Sequence, residues 1–328
     1  MPANGEGELM VLVARLYHEN NLTQEEIAVR MNLSRQKVSR LLITARKAGI
    51  IKTVVLNPMT VDSHLVQELI TGFGLKQVVL TSGETLDSSQ LRAGIGLAAA
   101  EYLQGSLRDD QLVGIGWGRT LFETVNLLRP EREKHINVIP MIGGLGDISP
   151  YFQVNELTRR LSDAFSGTYR HLYVPAFIED RSVLETLVNS QEVRQVAELW
   201  KRLDVAIVGI GHVEFQQMSS MFFVDHITPP TLALLKAQGT VGDICARFYN
   251  INGDQVYPEM GVVGISLDIL KNIPNVVAIA GGMEKIRALV GALRGGYIKT
   301  LIIDTATARA VLVENRKGGG WDSKIPKR

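Results

Sequence analysis

Apolar positions recur along the chain in two rhythms. At the start the period is helical: Leu9, Leu12, Val13, Leu16 and Tyr17 form a one-sided stripe over residues 8–20. In the run LTQEEIAVRMNLSRQKVSRLLITARKAGII, Thr23 precedes Glu26 by three residues, a capping box that predicts a helix to about Met31. Asn32 tolerates left-handed backbone and predicts a turn. Ser34 then caps a second helix that reaches about Lys47 and ends at Gly49. Ile27, Val38, Leu41 and Leu42 supply a shared core, and Ala28 is small where two helices must approach closely. Such a pair is a helix-turn-helix. IIKTVVLNP (50–58) reads as a strand ending at Pro58, either a small wing or the exit into the next domain. Residues 61–73 read as an amphipathic linking helix carrying Val61, Leu65, Val66, Leu69 and Ile70.

From about Gln77 the rhythm changes. Short apolar runs at Val78–Thr81, Leu112–Ile115, Ile136–Ile142, Tyr169–Val174, Val205–Ile210, Val276–Ala280 and Thr300–Ile303 predict strands. Between them, amphipathic segments at 88–104, 119–128, 153–166, 182–201, 283–294 and 305–313 predict helices. This alternation predicts a parallel sheet with helices on both faces. The expected fold is an N-terminal all-α helix-turn-helix joined to an α/β parallel-sheet domain. The boundaries read as 1–57 for the helix-turn-helix, 58–75 for a linker helix, 76–315 for the α/β domain and 316–328 for a flexible tail.

Composition narrows the class. With 328 residues, 45% of them apolar and 21% charged, the chain is long enough for two globular domains. Cys245 is the one cysteine, which excludes an internal disulfide and a Cys-based zinc cluster, and no metal or cofactor is expected. MPANGEGELM carries acids where a signal peptide needs positive charge, and no apolar run approaches the ~18 residues of a membrane span. A cytoplasmic protein with no membrane partner is expected.

The formal charge is balanced, 35 basic against 34 acidic residues, but its distribution is not. Arg30, Arg35, Lys37, Arg40, Arg46, Lys47 and Lys52 fall in a stretch without Asp or Glu. A local basic stripe predicts a polyanion-binding face. The second helix of the pair points Arg35, Gln36, Ser39 and Arg40 outward. Arg and Gln can pair bidentately with guanine and adenine edges, and Ser and Lys can fix phosphates. Thr23, Ser34, Arg35, Gln36, Lys37, Ser39 and Arg40 are thus the candidate contacts to double-stranded operator DNA.

Glycines gather where the predicted strands end: Gly114, Gly116 and Gly118; Gly143, Gly144 and Gly146; Gly209 and Gly211; Gly281 and Gly282. Ligands of open α/β sheets bind outside those ends, so several loops are expected to approach one ligand. GIGWGRTLFET (114–124) lacks the dinucleotide spacing G-x-G-x-x-G, and no G-x-x-x-x-G-K-[ST] occurs. What remains is a loop of N–H groups, a helix N-terminus, Arg119 and the Thr120 hydroxyl, a set suited to a phosphate monoester. The alternative is a structural turn with a capping Thr. In GTVGDICARFYNINGDQV (239–256), Asp243 could accept hydrogen bonds from sugar hydroxyls and Arg247 could clamp a second anion, with a surface ion pair between them as the alternative. Lys285, in the first turn after Gly281-Gly282, is close enough to reach a ligand at the strand ends, with a plain exposed lysine as the alternative.

Taken in order, LTQEEIAVRMNLSRQKVSRLL, GIGWGRTL, DVAIVGIG, GDICARFYNINGD and AGGMEKIRALVGALRGGYIKTLIID make the chain resemble the SorC/DeoR family of sugar-responsive bacterial transcriptional regulators along nearly its whole length. The resemblance implies an effector domain similar in fold to ribose-5-phosphate isomerase and glucosamine-6-phosphate deaminase. It also implies a phosphorylated sugar or sugar-like effector such as a polyol phosphate, and a homodimer or homotetramer, expected to be a repressor, that the effector shifts off or onto operator DNA. Effector contacts are implied for the 116–120 loop (Gly116, Gly118, Arg119, Thr120), Gly143, Gly144, Asn155, Asp243, Arg247 and Lys285, beside the Gly281-Gly282 loop.

Two other classes compete. A sugar-phosphate isomerase or deaminase needs a positioned base. The adjacent pair Asp225-His226 would point to opposite faces of a strand, His212 is the better lone candidate, and PMIGGLGD has no lysine for imine chemistry. A second domain that serves only assembly predicts no ligand effect. The regulator explains both halves, so no catalytic residue is assigned. Residues 212–230 match no motif.

Overall fold

The computed structural model describes residues 4–18, 20, 22–48, 50, 62–82, 87–145, 153–213, 227–257 and 261–317. The chain divides into two compact units, Met1–Val55 and Leu56–Arg328.

The first unit holds α1 (Asn4–His18), α2 (Gln24–Met31) and α3 (Arg35–Lys47). The Thr23 hydroxyl accepts from the Glu26 N–H at 3.2 Å and the Glu26 carboxylate accepts from the Thr23 N–H at 2.8 Å, so the capping box is complete. Those bonds also hold the Glu26 carboxyl below its usual range. Asn32 takes φ 51, the left-handed turn, and the Ser34 hydroxyl accepts from the Lys37 N–H at 3.2 Å to start α3. Met10, Val13 and Leu16 of α1 meet Ile27 and Ala28 of α2 and Val38, Leu41, Leu42 and Ala45 of α3 in one core. Each large side chain buried there contributes roughly 1.5–3 kcal/mol.

The second unit begins with α4 (Ser63–Phe73), whose Leu65 and Leu69 are buried in that unit's main core. The strands and helices then alternate: β1 (Gln77–Thr81), α5 (Ser88–Ser106), β2 (Leu112–Ile115), α6 (Arg119–Asn126), β3 (Asn137–Pro140), α7 (Val154–Ala164) and β4 (Thr168–Tyr169). After β5 (Phe177–Ile178) come α8 (Arg181–Val188), α9 (Gln191–Trp200), β6 (Val205–Val208), β7 (Gly211–His212) and α10 (Pro229–Ala237). The chain continues through β8 (Thr240–Ile244), β9 (Arg247–Asn250), β10 (Gln255–Val256), β11 (Gly261–Val262) and α11 (Leu267–Asn272). It ends with β12 (Asn275–Ile279), α12 (Ile286–Arg294), β13 (Thr300–Asp304) and α13 (Thr305–Lys317).

Seven strands form one sheet in the order β1-β13-β12-β6-β2-β3-β4, every neighbouring pair parallel. Alternate residues of each strand serve opposite faces. Val205 and Ile207 pack with Leu103 of α5, Leu121 of α6 and Leu161 of α7, whereas Ala206 and Val208 pack with Leu289 of α12 and Val311 of α13. Strands buried on both faces explain the unbroken apolar runs in sequence. From β2 the chain goes on to β3 on one side, and from β6 it reaches β12 on the other, so the crevice between the ends of β2 and β6 is where strand order diverges. Such a switch point is where ligands enter these folds.

Two expectations need correction. The strand expected over Tyr169–Val174 pairs only at Thr168–Tyr169, because β4 is the sheet's edge and Leu172 turns to the Asn155 side chain for its partners. The helix expected over 182–201 is two helices. Ser190 donates to the Leu187 carbonyl at 2.7 Å and accepts from the Val193 N–H, which ends α8 and caps α9. The expected strand at 50–58 and the tail beyond Lys317 lie almost wholly outside the described residues.

Candidate functional site

On the first unit, Val38, Leu41, Leu42 and Ala45 turn inward, which leaves Arg35, Gln36, Lys37 and Arg40 exposed and Ser39 half-buried on the opposite face of α3. Ser34 and Lys37 sit at the helix start, where the backbone N–H groups also point outward. Arg35 lies 3.5 Å from Glu25 on α2. The Thr23 hydroxyl is committed locally: it donates to the Glu26 carboxylate while accepting from the Glu26 N–H, so its first task is to build α2. The result is a basic, convex helix face of the width that a DNA major groove admits.

On the second unit, the loops after β2 and β6 meet at the crevice between those strands, where a Cβ on Gly209 would lie 3.3 Å from the Trp117 carbonyl. Gly116 donates its N–H to the Ile207 carbonyl at 3.0 Å, which closes the base of the crevice. Gly118, at φ 138, starts α6 without any side-chain cap. The first N–H groups of α6 therefore have no partner within the helix, and they carry the positive end of its dipole. Arg119 is exposed there and Thr120 is buried.

Above the crevice sits the hairpin of β8 and β9. Ile244 pairs with Arg247, so Cys245 and Ala246 alone make the turn, at φ 49 and φ 57. Two non-glycine residues in left-handed backbone cost roughly 1–2 kcal/mol each. The conformation is held from both sides. The Asp243 carboxylate accepts from the Ala246 N–H at 3.1 Å, and the Cys245 thiol packs over Gly116. Burial pushes that thiol up to about 12, so it acts as packing and not as a nucleophile. Asp243 is 4% exposed and stands over Gly211, where a Cβ would collide with its carboxylate. Burial pushes its pKa up to about 6, against the pull of the Ala246 N–H and the Lys285 charge. Lys285 closes the short turn after Gly281-Gly282. Burial lowers its pKa, and the Glu284 and Asp243 charges oppose that shift.

Other expected ligand contacts are spent on the walls. Arg247 donates to the carbonyls of Ile265 (3.1 Å), Val262 (3.1 Å) and Gly264 (2.8 Å), so it anchors the 262–265 segment, and no ion pair joins it to Asp243 among the described residues. Burial lowers the Arg247 pKa in that setting. The Asn155 amide is closed on Leu172, accepting its N–H at 3.0 Å and donating to its carbonyl at 3.2 Å. Gly143 and Gly144 give their N–H groups to Val263 and Val174, and a Cβ on Gly143 would lie 2.5 Å from the Val174 carbonyl. The Gly282 N–H is held by the Thr307 hydroxyl at 2.8 Å and by Asp304 at 3.2 Å. These bonds hold the loops around the crevice in place. The Asp304–Thr307 latch escaped the sequence reading, although Asp-Thr-Ala-Thr after a strand is a recognisable helix start.

His212 lies in β7, paired with Gly242, while Asp225-His226 and most of 212–230 fall outside the described residues. Among the described residues no cluster of His, Cys, Asp and Glu could hold a metal, and no helix is long and apolar enough to cross a membrane.

Comparison with known proteins agrees with both halves. Residues 57–313 match the family described as "Putative sugar-binding domain", and residues 6–48 match sigma-70 region 4. The sorbitol operon regulator of Klebsiella pneumoniae is 30% identical over 310 residues, 93% of this chain and 97% of its own length. The deoxyribonucleoside regulator of Bacillus subtilis is 28% identical over 307 residues, with 93% and 97% covered. The crystal structure of the full-length Klebsiella sorbitol operon regulator superimposes with a TM-score of 0.73 at 29% identity, covering 93% of this chain and 98% of that one. These relatives are transcriptional regulators and not enzymes. A helix-turn-helix with an outward basic face and a parallel-sheet domain with a ligand crevice thus stand in one chain, which belongs to the SorC/DeoR family of sugar-binding transcriptional regulators.

Proposed function

We propose that this regulator is a repressor whose affinity for its operator is set by a phosphorylated sugar or polyol bound at the β2/β6 crevice, and that it works as a homodimer or homotetramer. One observation carries the reading. An uncapped helix N-terminus with Arg119 and Thr120, a buried carboxylate at Asp243 and the ammonium of Lys285 converge where strand order diverges. In this reading the α6 amides, with Gly118, Arg119, Thr120 and Lys285, hold the phosphate, and Asp243 accepts hydrogen bonds from sugar hydroxyls. Gly116, Gly143, Gly144, Asn155, Arg247, Gly281 and Gly282 hold the loops at the distances the ligand requires. On the first unit Arg35, Gln36, Ser39 and Arg40 read bases, while Lys37, Ser34 and Thr23 lie toward phosphates. The names of the relatives, a sorbitol operon regulator and a deoxyribonucleoside regulator, favour a polyol- or sugar-derived effector.

The test is a thermal-shift screen of sugar phosphates, polyol phosphates and their unphosphorylated parents, followed by operator binding with each hit. A phosphorylated compound should raise the melting temperature without being consumed and should change operator affinity. Stabilisation by the neutral parent alone would overturn the phosphate reading, and turnover of the compound would overturn the regulatory one.

A further inference from the structure

The basic groups around the crevice include one that the strand-end motifs do not contain. α5 and α6 both follow strands of the parallel sheet, so both begin at its carboxyl edge and run side by side. Their contact fixes the register. A Cβ on Gly96 would lie 3.0 Å from the Glu123 Cβ and 3.2 Å from the Thr124 N. One helical turn toward the N-terminus, Gly96 becomes Arg92 and Glu123–Thr124 becomes Arg119–Thr120. Ile95, three residues after Arg92 and on the same face of α5, presses its Cδ1 against Gly281, where the loop to Lys285 begins. Arg92 therefore stands between the Arg119 end of α6 and the Lys285 turn. The charges register each other: Arg92 and Arg119 both weaken the hold of Lys285 on its proton.

Among the described residues, no hydrogen bond or ion pair engages the side chain of Arg92 or of Lys285, although both are half-buried. Partly desolvated cations placed near each other repel, and an anion bound between them relieves that repulsion. Glu284 and Asp243 pull on the Lys285 charge, but neither closes an ion pair with it or with Arg92 among the described residues.

We propose that Arg92 is a third cationic arm of the ligand site, which together with Arg119 and Lys285 holds the phosphate of the ligand. The proposal rests on the crevice being the effector site, as argued above. Arg92 recognises the phosphate from α5, across from α6, so the ligand is gripped by two helices whose relative position Gly96 sets.

Calorimetric titration of the full-length protein with inorganic phosphate tests this. Loss of one charge-assisted contact in Arg92→Gln should weaken phosphate binding roughly tenfold, and Arg92→Lys should recover part of the loss. Arg108→Gln, at the opposite edge of the sheet before β2, should bind as wild type does. Melting curves of all variants check that each is folded. Wild-type affinity in Arg92→Gln, with loss in Arg119→Gln, would overturn the role of Arg92 and leave the effector site standing. Phosphate binding that survives Arg92→Gln, Arg119→Gln and Lys285→Gln alike would place the ion elsewhere and overturn both. Absence of phosphate binding in the wild type, with stabilisation by a neutral sugar, would remove the phosphate reading itself.

Discussion

Asp243 is almost wholly buried, and its charge is correspondingly costly. Its folded pKa of about 6 lies above its usual 3.8, so the folded chain holds this proton more tightly than the unfolded chain does. The stability it contributes is therefore complete below about pH 4 and is lost as the pH rises through about 6. A shift of this size corresponds to roughly 3 kcal/mol at most. Asp243→Asn keeps an oxygen for the Ala246 N–H but carries no charge. Calorimetry from about pH 5 to about pH 7.5 should show the unliganded variant melting at a less pH-dependent temperature, and above wild type by several degrees at the upper end. Parallel curves for the two proteins would refute the burial argument. The same substitution should weaken response to a sugar, since Asn offers a hydroxyl a neutral acceptor in place of a carboxylate. A site residue that costs stability when empty is what function, rather than packing, retains.

At the scale of elements, legibility followed how local each signal is. The helix-turn-helix could be read because Thr23, Glu26, Asn32 and Ser34 act within a turn of where they stand. The β8–β9 hairpin is not legible, because Cys-Ala is a poor pair for left-handed backbone and only the tertiary contacts of Asp243 and Gly116 enforce its turn. Arg247 reads in sequence as an anion clamp, and the three carbonyls of the 262–265 segment that it also engages come from a distance no local signal reveals. Arg92 is silent in sequence, since it sits in a polar helix start and acquires meaning only from α5 lying beside α6.

The ion pair between α2 and α3 carries its own prediction. Arg35 and Glu25 are 3.5 Å apart with side chains 70% and 69% exposed, so the pair adds little to folding. DNA changes its value, because a phosphate near Arg35 must compete with Glu25 and is repelled by it. Glu25→Gln should tighten operator binding a few-fold, whereas Arg35→Ala should weaken it by about 1–3 kcal/mol and relax discrimination at one base. Fluorescence anisotropy on the operator and on a scrambled duplex separates the two effects. Unchanged affinity in both variants would exclude this face of α3 from the DNA contact. Thr23→Ala should act differently, destabilising the first unit by about 1 kcal/mol through the lost cap.

For the whole molecule, regulation requires that the two units share one free-energy cycle. If an effector weakens operator binding tenfold, operator must weaken effector binding tenfold, a coupling of about 1.4 kcal/mol read from either side. The two factors can be measured independently: operator affinity with and without saturating ligand, and ligand affinity with and without saturating operator. They should agree at every salt concentration, even though operator affinity itself falls steeply as salt competes with the α3 cations Arg35, Lys37 and Arg40 for the DNA. Salt acts on the DNA face, while the coupling belongs to the protein. Lys37→Ala should reduce the salt slope by about one and leave the coupling factor as it was. Arg119→Gln should do the converse, keeping the salt slope and abolishing the coupling by removing the ligand's hold. Unequal factors from the two sides would mean that a third equilibrium lies between them. Repeating both titrations across protein concentration would then identify it, because subunit assembly changes with concentration and a conformational change within one protomer does not.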